Sequence, residues 1–374
     1  MRNPSSVLLS ILFISFAGCN TKPHNTTTAT AGTNESGAIN ADWVYYIDKN
    51  KSYEKKNLYI QDIATVDYIK LETTTDCLLG STSSFINILL TDKYIFFAME
   101  DNVIFRYDYN GKFYNKINRE GRGPEEYGDI TSIAIDDVRE EVLVYDASSY
   151  KLFKYSYDGK FINSVNMGSY IKQIGFLGGD TLACFSGNVG NDPTYTLRSS
   201  SDGRILKSLS GIHDKNDSSP GYMSGGKVIK NNGEFFVNAA GSDTIFSINK
   251  NRRTPRYILT PPKTPGGDVN RTYSELRCET DYFCALMILS KNTGLFDSNY
   301  IVDKKENKVY KGMLLDRNFD GLGFIPFNSL CKNNQFATVF EVGMIESSDG
   351  ELRELADLSD DNDNPILMIA TLKP

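Results

Sequence analysis

The sequence predicts an all-β fold, a six-bladed β-propeller closed by pairing of N-terminal and C-terminal strands, with one short helix near the C-terminus. The segment FRYDYNGKFYNKI, starting at Phe105, returns as FKYSYDGKFINSV, starting at Phe153. Fainter copies follow, and the turn residues that align the four copies are Gly111, Gly159, Gly203 and Asn251. Aromatic residues make up 12% of the 374 residues, between turns of Gly, Asn and Asp, which is typical of all-β proteins. A period of about 40 to 50 residues with several short strands is typical of a propeller, in which each repeat forms one blade.

The first 18 residues are predicted to be a lipoprotein signal peptide. Arg2 precedes an apolar stretch from Val7 to Phe16, which is too short to span a bilayer. The small pair Ala17-Gly18 stands directly before Cys19 and resembles a bacterial lipoprotein box, which predicts lipidation of Cys19. An ordinary signal peptide followed by a coincidental cysteine is the alternative.

Residues 19–41 are predicted to form a disordered tether. Between Asn20 and Asn40 the chain is rich in Thr, Asn, Ala and Gly and contains almost no large apolar side chains. Such a composition cannot bury enough apolar surface to fold. The tether would therefore hold one domain, residues 42–374, away from the membrane.

The cysteines of the domain are expected to be buried free thiols. Cys278 and Cys284 are six residues apart, which is beyond disulfide distance along a helix or a strand, so only an intervening turn could pair them. An odd number leaves at least one thiol unpaired even in an oxidising compartment. Five cysteines remain after Cys19, namely Cys77, Cys184, Cys278, Cys284 and Cys331.

Five complete blades can be placed in order along the chain. The clearest, from Ile130 to Asn166, has turns at Asp136-Asp137, Asp146 to Ser149 and Asp158-Gly159, all rich in residues that tolerate tight backbone. Its predicted strands are Thr131–Asp136, Val142–Asp146, Lys151–Tyr157 and Phe161–Asn166. The blade before it divides into Phe85–Thr91, Tyr94–Met99, Val103–Tyr109 and Phe113–Asn118. The others are predicted at Ile171–Ser210, Lys227–Thr260 and Tyr273–Leu315.

The sixth blade is predicted to combine both ends of the chain. Its own strands are Phe324–Leu330, Gln335–Glu341 and Ile366–Leu372, which leaves the outer strand missing. Val66–Glu72 can supply that strand and close the ring, which removes the exposed edges that an open ring would leave. Between the last two strands, Ser348–Leu358 has the apolar spacing of a short amphipathic helix.

Three features resemble a known family. They are EGRGPEEY at Glu120–Tyr127, the repeated turn-GKF units, and DDNDNPILMIATLK at Asp360–Lys373. The chain resembles the six-bladed β-propeller lipoproteins of Bacteroidetes, relatives in shape of the NHL-repeat propellers. This resemblance implies a fold and an envelope location, but little about activity. Surface-exported lipoproteins of this kind usually carry acidic residues after the lipidated cysteine, and Asn20–Pro23 has none, which favours an outer-membrane anchor facing the periplasm.

Candidate ligand-binding residues lie on the connections from one blade to the next, a face that commonly binds ligands in propellers. Two Arg and two Glu beside a Tyr could grip a carboxylate, a sugar or a peptide. The structural alternative is that the glycines permit a tight crossover and the charged residues pair to hold it. The candidates are Arg119, Arg122, Glu125, Glu126, Tyr127, His213, Tyr222 and Arg271.

Three short motifs resemble metal-binding or modification sites, and each is also explained by an ordinary turn. Asp316, Asn318 and Asp320 match the opening of a calcium-binding loop, although Phe327 stands where the loop requires Glu. A Ca²⁺ or other divalent ion is thus a possible cofactor beside the alternative of a plain turn. Thr181 and Thr244 each follow Asp and resemble the O-glycosylation sites of Bacteroidetes, although a turn entering a strand also explains the pair.

The favoured function is a membrane-anchored, non-catalytic binding module for a protein, peptide or glycan. The alternative is a divalent-metal-dependent hydrolase or lyase of the lactonase kind, with carboxylates in the central channel. Only two histidines occur, so a zinc site rich in His is excluded. A net charge of -7 without a basic run argues against nucleic acid. The identity of the ligand stays open.

Overall fold

A computed structural model of the protein shows, in the described residues, six blade sheets that follow one another along the chain as in a propeller, as predicted, and one further two-stranded sheet. The structure describes residues 43–373 with the exception of 82–84, 187–194, 210–227, 232, 239–243, 261–271, 291–295, 319–328, 331–333 and 347. The predicted signal peptide and tether lie outside the described residues. No helix within the described ranges is both long enough and apolar enough to cross a membrane.

The chain enters the fold through a segment that precedes the first blade. Its elements are β1 (Tyr45–Asp48), β2 (Leu58–Tyr59), α1 (Ile60–Ile63) and β3 (Ala64–Lys70). We call residues 43–63, which end where β3 begins, the strap. The strap was not predicted, because strands of two and four residues carry no alternation long enough to be recognised.

Blades 1 to 3 each contain four antiparallel strands in sequence order. The twelve strands are β4 (Phe85–Leu90), β5 (Tyr94–Met99), β6 (Val103–Asp108), β7 (Phe113–Asn118), β8 (Ile130–Asp136), β9 (Glu141–Asp146), β10 (Lys151–Ser156), β11 (Phe161–Asn166), β12 (Gln173–Phe176), β13 (Thr181–Phe185), β14 (Tyr195–Ser199) and β15 (Ile205–Ser208). In the first two blades every predicted strand boundary is confirmed to within one residue.

The repeated motif places tyrosines at equivalent positions on the third strands of blades 1 and 2. The hydroxyl of Tyr107 donates to the backbone carbonyl of Cys77 at 2.7 Å. The hydroxyl of Tyr155 donates to the carbonyl of Glu125, also at 2.7 Å. Both acceptors lie on the connection that leads into the blade. The repeat therefore ties each incoming connection to the blade that follows it.

The turn glycine of the repeat makes the contact with the preceding blade. Gly111 and Gly159 have φ values of 78° and 79°, which favour glycine strongly over other residues. A Cβ atom at Gly111 would lie 2.1 Å from the carbonyl oxygen of Lys70, at the end of β3. Glycine at this turn is thus required both by its conformation and by the close approach of sixth and first blades.

Blades 4 and 5 also have four consecutive strands each. Their strands are β16 (Val228–Asn231), β17 (Glu234–Asn238), β18 (Thr244–Ile248), β19 (Arg253–Thr260), β20 (Thr272–Glu279), β21 (Phe283–Ser290), β22 (Phe296–Asp303) and β23 (Lys308–Lys311), followed by the short β24 (Leu314–Leu315). The strap runs along both blades. β1 pairs in parallel with β19, and β2 pairs in parallel with β24.

The sixth blade joins both ends of the chain, as predicted. It contains β26 (Gln335–Phe340) and β27 (Ile366–Leu372), and β3 is its outer strand. β3 and β27 are antiparallel from Ile366 opposite Lys70 to Leu372 opposite Ala64. The predicted amphipathic helix is confirmed as α2 (Gly350–Asp357), after a 3₁₀ turn at Val342–Met344.

The predicted inner strand of the sixth blade needs a correction. Residues 324–328 lie outside the described residues, and the part that is described forms β25 (Ser329–Leu330). β25 pairs in parallel with β4 of blade 1 rather than forming a ladder with β26. Inner strands run in the same direction around a propeller and converge at its centre, so a short one can pair with its neighbour.

Asn364 stabilises the ring closure through hydrogen bonds to the connection between blade 6 and blade 1. It is completely buried, and its side-chain amide donates to the carbonyls of Glu72 and Cys77 at 2.7 and 2.8 Å. Its side-chain oxygen accepts the N–H of Leu79 at 2.7 Å. The acidic segment that resembles the family's ending therefore contributes a buried amide that holds the connection from blade 6 to blade 1.

A buried ion pair of blade 5 lies in a cluster that also contacts blade 4 and the strap. Glu279 is completely buried, contacts the ammonium of Lys304, and accepts the hydroxyl of Tyr257 at 2.6 Å. Trp43 of the strap lies against two cations, since Arg256 and Lys304 are each 4.7 Å from its ring centroid. Buried charges are tolerated only when they are paired, so this cluster fixes the strap to the two blades.

The described cysteines are free and buried, as expected. Cys278 and Cys284 lie on adjacent strands of blade 5 and belong to the same apolar core. Cys184 lies in blade 3, and burial raises the pKa of its thiol to about 12. These buried thiols are part of the apolar cores of their blades.

Candidate functional site

The EGRGPEEY segment spans the junction between blades 1 and 2. At one end Arg119 donates to the carbonyl of Gly159, in the outer turn of blade 2. At the other end the N–H groups of Gly128 and Asp129 donate to the carboxylate of Asp146. Hydrogen bonds therefore hold the segment to two separate turns of blade 2, and the segment crosses the junction between blades 1 and 2.

The side chain of Tyr127 anchors the end of this segment in the apolar core. It is fully buried, and its hydroxyl donates to the carbonyls of Asn102 and Ile117 at 3.1 Å and accepts the N–H of Arg119. The predicted contact of Tyr127 with a ligand is corrected by this burial. Its ring packs between the blades, because a large aromatic residue there excludes water from the junction.

Glu126 is exposed but is also engaged in holding the crossover. Its carboxylate accepts the N–H of Gly123 at 2.8 Å, and a Cβ atom at Gly121 would lie 1.9 Å from the same oxygen. Arg122 and Glu125 are exposed, with no side-chain bond to any described residue. The segment thus serves mainly as a crossover, and it leaves Arg122 and Glu125 available to a ligand.

The next connection, residues 167–172 between blades 2 and 3, is fixed on every side. The hydroxyl of Tyr145 donates to the carbonyl of Ser169 at 2.8 Å and accepts the N–H of Ile171. Arg198, which is buried, bonds the carbonyl of Met167 and the hydroxyl of Ser169. The backbone of this connection is therefore held in one conformation by its neighbours.

Four polar or aromatic side chains lie along this junction. Tyr170 is half-buried and close enough to Asp129 that, together with burial, the carboxylate raises the pKa of its phenol. The connections that carry them touch, since the hydroxyl of Thr131 donates to the carbonyl of Ile171 at 3.1 Å. Burial lowers the pKa of Lys172 at the start of the inner strand. We call Asp129, Tyr150, Tyr170 and Lys172 the junction surface.

Tyr150 is the strained member of the junction surface. Its φ is 55° and its side chain is 45% exposed, and a bulky residue in the left-handed region is a real outlier. Its carbonyl accepts the N–H of Met167 at 2.8 Å, which links it to the fixed connection. Strain of this kind persists at sites where the surroundings impose it, and such sites are often functional.

Asp146 holds the backbone beside two members of the junction surface, Asp129 and Tyr150. Burial alone would raise the pKa of its carboxyl, but hydrogen bonds from Ser149, Ser148 and the N–H of Asp129 outweigh burial and lower it. Asp146 is therefore an ionised acceptor that fixes the turn before Tyr150 and the backbone of Asp129. A rigid frame with exposed tyrosines can bind a ligand at low entropic cost.

The remaining predicted residues do not join this surface. His213, Tyr222, Arg271 and Asp320 lie outside the described residues. Both carboxylate oxygens of Asp316 are bonded, one to Tyr68 at 2.9 Å and the other to Gln61 and the N–H of Asn318. Asp316 and Asn318 thus form a bonded turn, and the predicted calcium site gains no support from these two residues.

The predicted modification sites are accessible. Thr181 begins the second strand of blade 3 and Thr244 begins the third strand of blade 4, and both are partly exposed. No group of three or more His, Cys, Asp or Glu side chains that could hold a metal ion occurs in the described part of the chain. The described residues therefore offer no carboxylate cluster of the kind that the lactonase alternative requires.

Sequence analysis missed the junction surface. The signal that could have revealed it is the position of Tyr150 in the repeat. Tyr150 stands three residues before Phe153, and the preceding repeat has Asn102 at the same place, three residues before Phe105. Asn102 has a φ of 62°, so the turn requires a left-handed residue in both copies. A tyrosine at a position where Asn is favourable could have been recognised as a functional candidate.

The chain belongs to the family described as "Domain of unknown function (DUF4934)", whose model matches residues 44–371. No curated protein matches the sequence. A solved structure of an exported protein from Bacteroides fragilis is similar, with a TM-score of 0.66 and 15% identity over 88% of this chain and 100% of that chain. A member of the duf4221 family from Bacteroides vulgatus has a TM-score of 0.49 and 12% identity, over 84% and 99% of the two chains. The first similarity confirms the six-bladed propeller and its likeness to Bacteroides proteins.

Proposed function

We propose that this protein is a non-catalytic binding module of the bacterial cell envelope, which holds a protein, peptide or glycan at the junction surface. The observation that carries this proposal is the strained, exposed Tyr150, whose carbonyl accepts the N–H of Met167 at the start of the connection that carries Tyr170 and is fixed by Tyr145 and Arg198. A propeller of this kind is a rigid scaffold that fits binding in general.

The chemistry of the surface suits an uncharged or mixed ligand. Tyrosine offers an apolar ring and a hydroxyl at little entropic cost, and so packs equally well on a sugar ring or on a peptide. Asp129, which together with burial raises the pKa of Tyr170, supplies an acceptor, and Lys172 follows Tyr170 on the same connection. Arg122 and Glu125 are exposed charged groups on the neighbouring junction, between blades 1 and 2.

The proposed location follows from the first residues of the chain. Lipidation of Cys19 would anchor the protein, and residues 19–41 would let the propeller stand away from the membrane. We place the anchor in the outer membrane facing the periplasm, because no acidic residue follows Cys19 directly. The relative in Bacteroides fragilis is described as an exported protein, which supports the envelope location.

Capture from envelope extracts tests the binding role. The chain without its signal peptide is immobilised and exposed to the protein fraction and, separately, to the polysaccharide fraction of the envelope. We expect the double variant Tyr150→Ala, Tyr170→Ala to lose at least tenfold of what the wild type retains. The matched control is Tyr114→Ala, Ile162→Ala, which removes exposed residues from outer strands of blades 1 and 2. Equal retention by the two variants would contradict the proposal.

A further inference from the structure

Arg277 differs from the buried arginines of the described chain because most of its N–H donors have no hydrogen-bond acceptor there. Its guanidinium is about one-fifth exposed, and one terminal nitrogen contacts the carboxylate of Glu275 at 3.1 Å. The same nitrogen lies 3.0 Å from the sulfur of Met287, which is a weak acceptor. Its Nε is buried and has no hydrogen-bond partner in the described chain. Burying an N–H donor without an acceptor costs free energy, and no hydrogen bond to the described chain offsets that cost here.

The other buried arginines have structural explanations. Arg198 bonds Thr196, Met167 and Ser169. The Nε of Arg106 also lacks an acceptor, but its guanidinium lies against the ring of Tyr94, with centroid 4.7 Å away, and pairs with Asp158. Arg277 has neither a set of acceptors nor an aromatic ring in contact among the described residues.

The position of Arg277 in the fold suits a ligand. It lies on β20, the innermost strand of blade 5, which borders the centre of the ring. The register between β20 and β21 shifts between Leu276 and Cys278, so Arg277 is the extra residue of a β-bulge. Bulges redirect side chains and occur often beside functional sites. Leu276 and Cys278 on either side are buried in the core, which fixes the backbone that carries the guanidinium.

We propose that Arg277 and Glu275 form a binding site for a monoanionic carboxylate at the inner strand of blade 5. A guanidinium offers two parallel N–H donors that match a carboxylate, and the partly exposed end of the Arg277 side chain can present them. Glu275 neutralises part of the positive charge, which reduces the electrostatic advantage that an unpaired arginine gives to a doubly charged anion such as phosphate over a singly charged carboxylate. This site is on a different blade from the junction surface and goes beyond the function proposed above.

The test uses propionate and inorganic phosphate as probes of the chain without its signal peptide. Saturation-transfer NMR measures the dissociation constant of propionate, and ³¹P line broadening measures that of phosphate. We expect wild-type protein to bind propionate more tightly than phosphate. Arg277→Gln is expected to weaken propionate binding at least tenfold. Arg204→Gln, which removes an exposed arginine that is likewise paired with an acid two residues earlier, is the matched control and should bind as wild type does.

Arg277→Lys keeps the proposal testable if the glutamine variant does not fold. Lysine retains the charge but loses the fork, so binding of propionate should weaken several-fold. The proposal is overturned if the wild type does not bind propionate, if phosphate binds more tightly, or if a folded variant at position 277 binds as well as the control. Tyr150→Ala, Tyr170→Ala should bind propionate normally, so failure of this site and failure of the proposed function are distinguishable.

Discussion

Blades 1 to 3 and blades 4 to 6 are fastened by different means. In the first three, the junctions come from side chains that the repeat carries itself, such as Tyr107 and Tyr155. In the last three, the strap and β3 bring in residues from the other end of the domain, and a buried ion pair between Glu279 and Lys304 completes the contact. Apart from the closure contacts that blade 1 makes with β25 and Asn364, the first half is thus stabilised by local sequence, and the second half by the strap and by closure.

The outer edges show the same difference. β19 is covered by β1, whereas β7, β11 and β15 are the last strands of their sheets in the described chain. Equivalent repeat positions on these three strands leave apolar side chains 42–46% exposed, at Tyr114, Ile162 and Leu206. The half whose strands do not pair with the strap in the described chain also carries the junction surface, where we propose that the ligand binds.

The largest expected difference in the free energy of unfolding is between substitutions of two lysines. Both are buried or nearly buried, and there is one in each half. Lys304→Met leaves Glu279 buried without its cation, and we expect the free energy of unfolding to fall by about 3–5 kcal/mol. Lys154 in blade 2 is 9% exposed, and no ion pair of its side chain is found among the described residues. Lys154→Met should therefore change stability by less than about 1 kcal/mol. Urea unfolding measures both, and equal losses would contradict the difference between the halves.

A pair of glycines tests the junction where the halves meet. Gly111→Ala places a methyl group 2.1 Å from the carbonyl oxygen of Lys70, while a Cβ atom at Gly168 meets nothing within 4 Å. Both glycines have positive φ, 78° and 72°, so the conformational strain is matched. We expect a loss of about 1 kcal/mol for Gly168→Ala and about 3 kcal/mol for Gly111→Ala. Thermal unfolding decides, and a similar loss at both sites would mean that the close approach is unimportant.

Removing the indole of the strap should loosen only the second half. Trp43→Ala loses contact with Arg256 and Lys304 and is expected to cost about 2 kcal/mol. Amide hydrogen exchange should then rise in blades 4 and 5 and stay unchanged in blades 1 and 2. Tyr46→Ala, an exposed residue of β1, is the control. A uniform rise over all blades would show that the strap stabilises the ring as a whole.

The smallest effect concerns a carboxylate within the repeat half. Burial would raise the pKa of Asp180, but hydroxyls of Ser201, Ser199 and Ser200 outweigh it and lower the pKa to about 2. Because the folded pKa lies below the unfolded one, the stabilisation is present above about pH 4 and is lost as the pH falls towards 2. Asp180→Asn should cost about 1 kcal/mol at pH 6 and almost nothing at pH 2. A difference that does not change with pH would contradict this account.

The fold was predictable where the repeat is regular. Turn residues, alternating apolar strands and the repeated aromatic positions are local, so the strands of blades 1 and 2 and the closure by β3 could be read from the sequence. The strap could not, because β1 and β2 are short and gain their stability from partners about 200 residues or more away. The pairing of β25 with β4 was missed for the same reason, since only the ring geometry brings them together.

The candidate site was predictable only in part. The sequence indicated the EGRGPEEY segment, but it could not show that Tyr127 is buried while Arg122 and Glu125 are exposed. The role of Tyr150 depends on its backbone conformation, and that of Arg277 on acceptors that are missing around it. Both properties arise from packing between distant segments and have no local pattern.

Site-specific photo-crosslinking in cells tests the binding surface most directly. A photoreactive amino acid replaces Tyr170 in one strain and Tyr114, on the exposed edge of blade 1, in another. The account predicts that position 170 yields a discrete crosslinked product that disappears when Tyr150→Ala is added, and that position 114 does not. Crosslinking to the same product from position 114, or none from position 170, would contradict a binding surface between blades 2 and 3.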